Sequence, residues 1–600
     1  MRYKLVRDAK TNKRYYYILE VYSQKTMEKL LSQPNLVKFQ SGYLLPDVPM
    51  NHRIIGDLSQ MDETQKYEDK KIKVEQEYQA LLEKKTPDYA LVNEVLGKIS
   101  RREEIAYTPG SCSQLMNHQR GGTLIAERFD KFAFFYDTGT GKTLMALDII
   151  RRKAETKEAH FLILCPKTVI ATAWMDDCSQ FYPKLRILPM SNNYTSAEQL
   201  RKLSWQWRKS DMDFQYAPCF FLKNKRQRDQ ESRKYMLTQA EHLIVNFELF
   251  NRTPEKYLKI GEGDQEKNID GIIVDESSVL KSGSNVLLCN LWKCLCTEDI
   301  KYIYLLSGKP APNKIQEYYP QIELVAPYLR LPSVRRIQQE DSNAKDELLK
   351  AIQKASITVS KKDCFDLPDT INITRKVELD SQLRKQYSSL AYQFVTELKD
   401  IEKENPKTSF IYKHHVFTSI LKLRQFTGGF VLNDGEPIHV HNKKLEELER
   451  IIEELGGEQA IIWCQFRHEI KEIEKRLTAL GYCVVTAYGE TLDKDASIRT
   501  FKSGKATFLI AHPKTLQFGV TLTNCCYAIY YAMSYSFEEY YQSHDRIYRK
   551  GQALPCTYIF IQAENTIDEV VHRVVIEKKN ETERIELFLK HMENDMKGAE

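Results

Sequence analysis

Residues 134–143 read Phe-Phe-Tyr-Asp-Thr-Gly-Thr-Gly-Lys-Thr, an apolar run that passes into a glycine-bearing loop and ends in Gly141-Lys142-Thr143. A helical pattern, Leu144–Ile150, follows at once. This order suits a nucleoside triphosphate. Glycines let backbone N–H groups close around phosphates, a lysine reaches the β and γ oxygens, and the hydroxyl beside it can ligate Mg2+. The helix N-terminus adds positive potential. Asp137, Thr138, Gly139, Thr140, Gly141, Lys142 and Thr143 are therefore candidate phosphate-binding residues, with Lys142 catalytic and Thr143 a metal ligand. Position 136 is Tyr where the strict G-x-x-x-x-G-K-T pattern has Gly, so the loop alone also admits a plain strand–turn–helix reading.

Two stretches downstream narrow that choice. Ile272-Ile273-Val274-Asp275-Glu276 places an acidic pair at a strand's carboxyl end, where ligands bind in open α/β sheets. Asp275 is expected to hold Mg2+, and Glu276 to orient and deprotonate the attacking water. On its own the pair is as readily a solvated turn. In Gln542-Ser-His-Asp-Arg546-Ile-Tyr-Arg549-Lys-Gly551-Gln552, Arg546 and Arg549 share a helical face. Two guanidiniums together suit a γ-phosphate that gains charge in the transition state. Taken alone, the same stretch is an exposed basic helix.

The bulk numbers set bounds. Six hundred residues exceed what one core organises, so several units are expected. A charge of +6 permits a polyanionic partner without requiring one. The 13 cysteines lack zinc spacing, Cys294/Cys296 and Cys525/Cys526 included, and read as reduced thiols of an intracellular protein. No run reaches membrane-span length, and the first residues form no signal-peptide core. His414-His415 and His439–His441 have no carboxylate or cysteine at metal-ligand spacing and read as exposed loop histidines.

Hydrophobic patterning divides the chain. Residues 1–60 suggest a small α+β module, with a strand at Tyr15–Val21 and a helix at Gln24–Leu31. Residues 61–108 suggest a helical hairpin turning near Pro87. Short apolar strands alternate with helices over 109–330, interrupted by a basic insertion near 190–240, and again over 441–565. Residues 331–440 read as a helical linker, and 566–600 as a helical brace and tail. The expected fold class is α/β, two parallel sheets covered on both faces with helical insertions.

The ordered motifs resemble those of superfamily-two helicases in the Swi/Snf-type version. Met116-Asn-His-Gln119 resembles the adenine-reading glutamine segment, and Asp137–Thr143 the first motif. Cys165-Pro166-Lys167-Thr168 with Trp174, and Asn246-Phe247-Glu248, resemble the short segments between motifs one and two. Asp275–Lys281 and Leu306–Asn313 resemble motifs two and three. Ile461–Arg467, Phe518–Thr523 and Gln542–Gln552 resemble motifs four, five and six. Leu421-Lys-Leu-Arg424-Gln425 and Thr566-Ile567-Asp568-Glu569 fit the connecting and bracing stretches.

The resemblance implies two tandem RecA-like domains and an ATPase that uses ATP and Mg2+ and translocates on double-stranded DNA. It adds Gln119, Gly519 and Gln542 to the nucleotide set, and Lys167, Thr168, Asn246, Arg467, Lys514 and Thr521 as nucleic-acid contacts. Three departures stand out. Ser278 replaces the usual histidine of motif two, Lys309 the usual threonine of motif three, and motif five lacks its first glycine. An RNA or single-strand helicase, or an ATP-gated switch for a partner docked on residues 1–105, are the alternatives. The compact length suggests a bacterial or phage-encoded cytoplasmic protein. Residues 201–235 interleave Arg201, Lys202, Trp205, Trp207, Arg208, Lys209, Lys223, Lys225, Arg226 and Arg228, which suits nucleic acid or, equally, a solvated surface insertion.

Overall fold

The structure is a computed structural model. It describes residues 1–7, 14–33, 36–39, 42–46, 51, 54–62, 89–106, 110–191, 194–210, 217–261, 263, 266–283, 285–312, 314–329, 331–339, 341–404, 409–516, 520–577, 587–588 and 591. Most of the hairpin expected at 61–108, the tail beyond 577 except three residues, and Gly519 lie outside these.

Two parallel sheets lie in tandem, as in RecA-like domains. The first has seven strands, in the spatial order Ser356–Val359, Lys131–Tyr136, Tyr302–Leu306, Gly271–Asp275, Phe161–Cys165, His242–Asn246, Ile187–Pro189. The second has six, in the order Thr370–Val377, Cys556–Ala563, Tyr527–Tyr530, Ala460–Trp463, Phe508–Ala511, Val484–Ala487. Phe161–Cys165, Gly271–Asp275 and Tyr302–Leu306 are buried along their whole length. That burial is why they read as continuous apolar runs: helices cover both faces of a parallel sheet.

The stretch 331–440, expected to be helical, contributes a strand to each sheet. Ser356–Val359 pairs with the strand that feeds the phosphate loop, and Thr370–Val377 pairs with Cys556–Ala563. Both are edge strands. Thr370–Val377 leaves Ile371 and Ile373 on the surface, so it lacks a buried apolar run, and the long helices after it, Ser381–Glu404 and Phe410–Thr427, dominate the pattern. Residues 360–369 are thus the first crossing between the two sheets.

The N-terminal residues form a separate antiparallel sheet, ordered Arg2–Arg7, Arg14–Glu20, Gly42–Pro46, Val37–Phe39. Its small core is Ile18, Leu30, Leu45, Ile55 and Leu58. Helix Gln24–Leu31 starts where expected, capped by the Ser23 side chain on Thr26 N–H. Helix Tyr89–Ser100 instead packs Val92, Val95 and Ile99 into the core of the first large sheet.

Phe161 fills the space in front of Gly271, where a Cβ would sit 2.3 Å from its ring. Gly271→Ala must displace a fully buried ring and is expected to cost roughly 1–3 kcal/mol, read as a lowered unfolding midpoint; an unchanged midpoint would contradict this packing.

Candidate nucleotide site between the two sheets

The strand Lys131–Tyr136 is buried up to its end, and helix Lys142–Lys157 begins six residues later. The loop between is held from behind. Gln119, on helix Asn117–Arg128, donates its amide to Gly141 O (2.9 Å) and Thr140 O (3.2 Å), while its Oε1 accepts from Met116 N–H. Both polar ends of Gln119 therefore brace the loop. A Cβ on Gly141 would lie 2.3 Å from that amide nitrogen, and Gly141 has φ +76°, so the position suits glycine twice over. Lys142 Nζ, largely buried, donates to Tyr136 O (3.0 Å) and Asp137 O (3.4 Å). Thr143, next on the helix, is only half-buried.

Asp275 and Glu276 end a strand two places across the sheet from the loop strand. Asp275 Oδ2 accepts from Trp174 Nε1–H at 2.9 Å, and Oδ1 from Glu276 N–H at 3.0 Å. Trp174 thus fixes the carboxylate, a role the sequence did not disclose. Burial raises the pKa of both carboxyls, with the Lys142 charge opposing. Glu276 holds a left-handed backbone, φ 56°. That conformation is uncommon for a side chain of this kind and recurs at functional turns.

The second sheet supplies the opposite wall. Helix Phe537–His544 ends before Asp545, and Arg546 and Arg549 lie in the turn that follows it, not on one helical face as the spacing suggested. Arg546 is buried, donating through Nε to Gln542 O (2.7 Å) and through Nη1 to Val520 O (3.0 Å); burial pulls its pKa down to about 9. Arg549 donates to Asp545 O (2.8 Å) and to Thr521 Oγ1 (3.0 Å). Its Cγ would lie 3.2 Å from a Cβ on Gly139. The motif-six arginine therefore lies against the phosphate loop of the other sheet. Thr138, Glu276, Ser278 and Lys309 share a narrow cavity with Tyr541 and Gln542.

Three lysines of the first half engage this wall, and the sequence marked none as a site residue. Lys361, just beyond the edge strand Ser356–Val359, pairs with Asp545 at 2.7 Å and donates to Tyr548 O at 3.1 Å, while its backbone N–H donates to Asp137 Oδ2 at 3.0 Å. Thr138 Oγ1 donates to the other Asp545 oxygen, and Tyr541 O–H to Asp137 Oδ1 (3.0 Å). Lys309 Nζ stands 4.2 Å over the Tyr541 ring, a cation–π contact. Lys281 pairs with Glu538 at 3.3 Å. Lys309 is a departure from the motif-three pattern, and here it gains a partner in the second half.

The expected nucleic-acid residues are placed less uniformly. Lys167, Thr168, Arg467 and Lys514 are exposed near carboxyl ends of strands. Arg467 pairs with Glu490 and Lys514 with Glu539. Asn246 is buried and its amide meets Glu248. Thr521 belongs with Arg549 in the cleft. The histidines differ from expectation: His414 and His415 lie on helix Phe410–Thr427, exposed, and His441 is buried, its pKa pushed down to about 4 by burial. Among the described residues no cluster of His, Cys, Asp and Glu can hold a metal by itself, and no helix is long and apolar enough to cross a membrane.

The family described as SNF2-related domain matches residues 131–428, and the helicase conserved C-terminal domain matches residues 443–551. The chain belongs to the Swi/Snf-type superfamily-two helicases. It is 24% identical over 313 residues to putative protein p41 of Acyrthosiphon pisum secondary endosymbiont phage 1, covering 47% of this chain and 63% of that protein. It is 21% identical over 473 residues to the chromodomain-helicase-DNA-binding protein 1-like of Danio rerio, covering 75% and 41%. The chain thus spans less than two thirds of either curated relative. Among solved structures, the Sulfolobus solfataricus SWI2/SNF2 ATPase core in complex with dsDNA aligns with TM-score 0.34 and 19% identity, over 80% of this chain and 94% of that one.

Asp545→Asn leaves Lys361 buried without its counter-charge. The closed arrangement is expected to lose roughly 3–5 kcal/mol, and ATP turnover to fall at least about tenfold. Adding Lys361→Met should recover part of the loss, because the orphaned charge is gone. Equal defects in the single and double variants would show that the pair does not couple.

Proposed function

We propose that the chain is a nucleic-acid-stimulated ATPase that translocates on double-stranded DNA and remodels DNA or protein–DNA complexes. The observation that carries this reading is the contact of Arg549 with Gly139. Phosphate loop and arginine belong to different sheets, so a γ-phosphate between them ties closure of the cleft to the state of one bond. Lys142 and the loop N–H groups would hold the β and γ oxygens. Arg546 and Arg549 would meet the charge that develops on transfer. Glu276 would orient and deprotonate the water, in the cavity it shares with Gln542.

Mg2+ fits the donor set. Thr143 Oγ1 and the Asp275 carboxylate are hard oxygen donors, and one carboxylate with a hydroxyl is a typical protein share when phosphates and waters complete the shell. When bound, the ion would neutralise phosphate charge and act as a Lewis acid. Trp174 and the Glu276 N–H keep Asp275 aimed for it.

Lys167, Thr168, Arg467 and Lys514 follow strands of both sheets, on the carboxyl-end rim that also bears the nucleotide site. Contacts of this kind go to phosphates and carry no sequence code. The exposed pair Arg467–Glu490 is weak in water and exchanges readily for phosphate oxygens, whereas Lys514 pairs with the buried Glu539.

The test is ATP hydrolysis with no polymer, duplex DNA, single-stranded DNA or RNA, with Lys142→Ala as the blank. Stimulation by duplex DNA is expected; stimulation by single strands or RNA alone would move the chain to a strand-separating helicase. ATPase indifferent to every polymer would favour an ATP-gated switch. Glu276→Gln is expected to retain ATP binding and lose about 10²- to 10⁴-fold in turnover, measured by single-turnover hydrolysis beside nucleotide binding.

A further inference from the structure

Between the edge strand Ile187–Pro189 and its neighbour His242–Asn246 the chain inserts a helical hairpin: helix Ala197–Ser210, a 3-10 turn Pro218–Phe221 and helix Lys225–Gln239. Its inner side is ordinary core. Leu200, Leu203, Trp207, Phe220 and Met236 are buried and join the core of the first sheet. Asn224 caps the second helix through Gln227 N–H. The hairpin is therefore a fixed platform, and the two tryptophans divide: Trp207 packs inward, whereas Trp205 is 51% exposed, and Phe221 at the turn is 65% exposed.

The outer side is cationic. Arg201, Arg208, Lys223, Lys225 and Arg226 are exposed and make no ion pair among the described residues. The described acids of the hairpin are engaged elsewhere. Glu198 pairs with Lys202, Glu231 with Lys234, and Asp229 accepts from Ala197 N–H. Spacings of four and three place Arg201, Trp205 and Arg208 on one helical face. Over 197–239 the sequence carries ten Lys or Arg against five Asp or Glu, so this hairpin holds a surplus close to that of the whole chain, +6.

Its root ties the platform to the nucleic-acid rim. Met190 N–H donates to Ile244 O (2.8 Å), so the hairpin leaves the sheet two residues short of Asn246 on the neighbouring strand. Uncompensated cations interleaved with exposed aromatics are the pattern that tracks a phosphodiester backbone.

We infer that this hairpin is a second nucleic-acid contact of the motor, gripping the phosphate backbone beyond the cleft through Arg201, Arg208, Lys225 and Arg226, with the exposed part of Trp205 meeting an unpaired base. The inference rests on the nucleic-acid reading above. The hairpin lies outside the hydrolytic set, so it governs affinity for the polymer and leaves bond cleavage alone.

The experiment is a full-length R201Q/R208Q/K225Q/R226Q variant, compared with the unmodified chain in duplex and single-strand binding across a salt series and in the DNA concentration for half-maximal ATPase. Polymer-free ATPase and the far-UV spectrum should be unchanged, since the core residues stay. The slope of log affinity against log salt should fall by roughly 3–4, and half-saturation at 0.15 M salt should require at least about tenfold more DNA. W205A should weaken single-strand binding more than duplex binding. An unchanged salt slope and half-saturation, with the unmodified chain binding normally, would overturn this inference alone. Failure of the unmodified chain to bind any nucleic acid would overturn it together with the reading it rests on.

Discussion

A carboxylate that is almost wholly excluded from water, Asp545, sits between Lys361 and Thr138 of the opposite sheet. A charge buried in this way is tolerable only with its partners in place. Satisfaction of Asp545 therefore requires the two sheets to be together. Arg546 and Arg549 follow it within four residues, in the turn after the helix, and Arg549 hydrogen-bonds to its backbone carbonyl. Whatever places Asp545 against the phosphate loop places the arginines too. The Lys281–Glu538 and Lys309–Tyr541 contacts repeat the theme along the rim: cations on the first half, carboxylate or aromatic face on the second. Being more exposed, they add specificity of docking more than strength.

Each half also rigidifies its own contribution. In the first, Gln119 occupies the carbonyls of the loop and Trp174 the Asp275 carboxylate, so backbone N–H groups and carboxylate face the cleft without rearrangement. In the second, Arg424 is buried and donates to Met533 O, just before helix Phe537–His544. Asp568 accepts from Thr427 Oγ1 (2.9 Å) and Lys444 Nζ (3.1 Å), fastening helix Ile567–Ile576 to the second sheet's linker helices. Preorganisation of this kind is what electrostatic stabilisation of a transition state demands.

What the sequence disclosed and what it hid follow from one distinction. The phosphate loop, the Asp275–Glu276 turn and the arginine pair are local: strand, turn and helix are adjacent in sequence, and residue types alone declare the chemistry. Buried central strands were legible because burial on both faces leaves an unbroken apolar run. Three of the four strands at the sheet edges were not, Val484–Ala487 being the exception. Ile187–Pro189 and Ser356–Val359 are only three and four residues long, and Thr370–Val377 exposes its isoleucines. The Asp545 partners were hidden for a related reason. Lys361 is one lysine among many until the edge strand before it docks beside the loop strand and delivers it to the cleft, a long-range fact with no local pattern. The same holds for Trp174 on Asp275, and for Thr521, which lies beside Arg549. The basic hairpin was ambiguous because sequence counts its tryptophans together, whereas packing sends Trp207 inward and leaves Trp205 outside.

The ten residues that cross between the sheets begin at Ser360, so Lys361 is at once the first residue of the crossing helix and the partner of Asp545. Its N–H and its ammonium group hold different parts of the site: Asp137 of the phosphate loop on one side, Asp545 at the start of the arginine turn on the other. Asp137 in turn accepts from Tyr541, and the carbonyls of Tyr136 and Asp137 hold Lys142. Lys142, Asp137, Lys361 and Asp545 therefore form one chain of contacts from the phosphate loop through the crossing to the arginines. A phosphate that draws Lys142 off those carbonyls removes two bonds at the start of the chain and brings a new anion to the arginines at its end. The crossing lies between the two ends of this chain of contacts. A coupling free energy needs an element in contact with both sites, and Lys361 touches both, Asp137 through its N–H and Asp545 through its ammonium group.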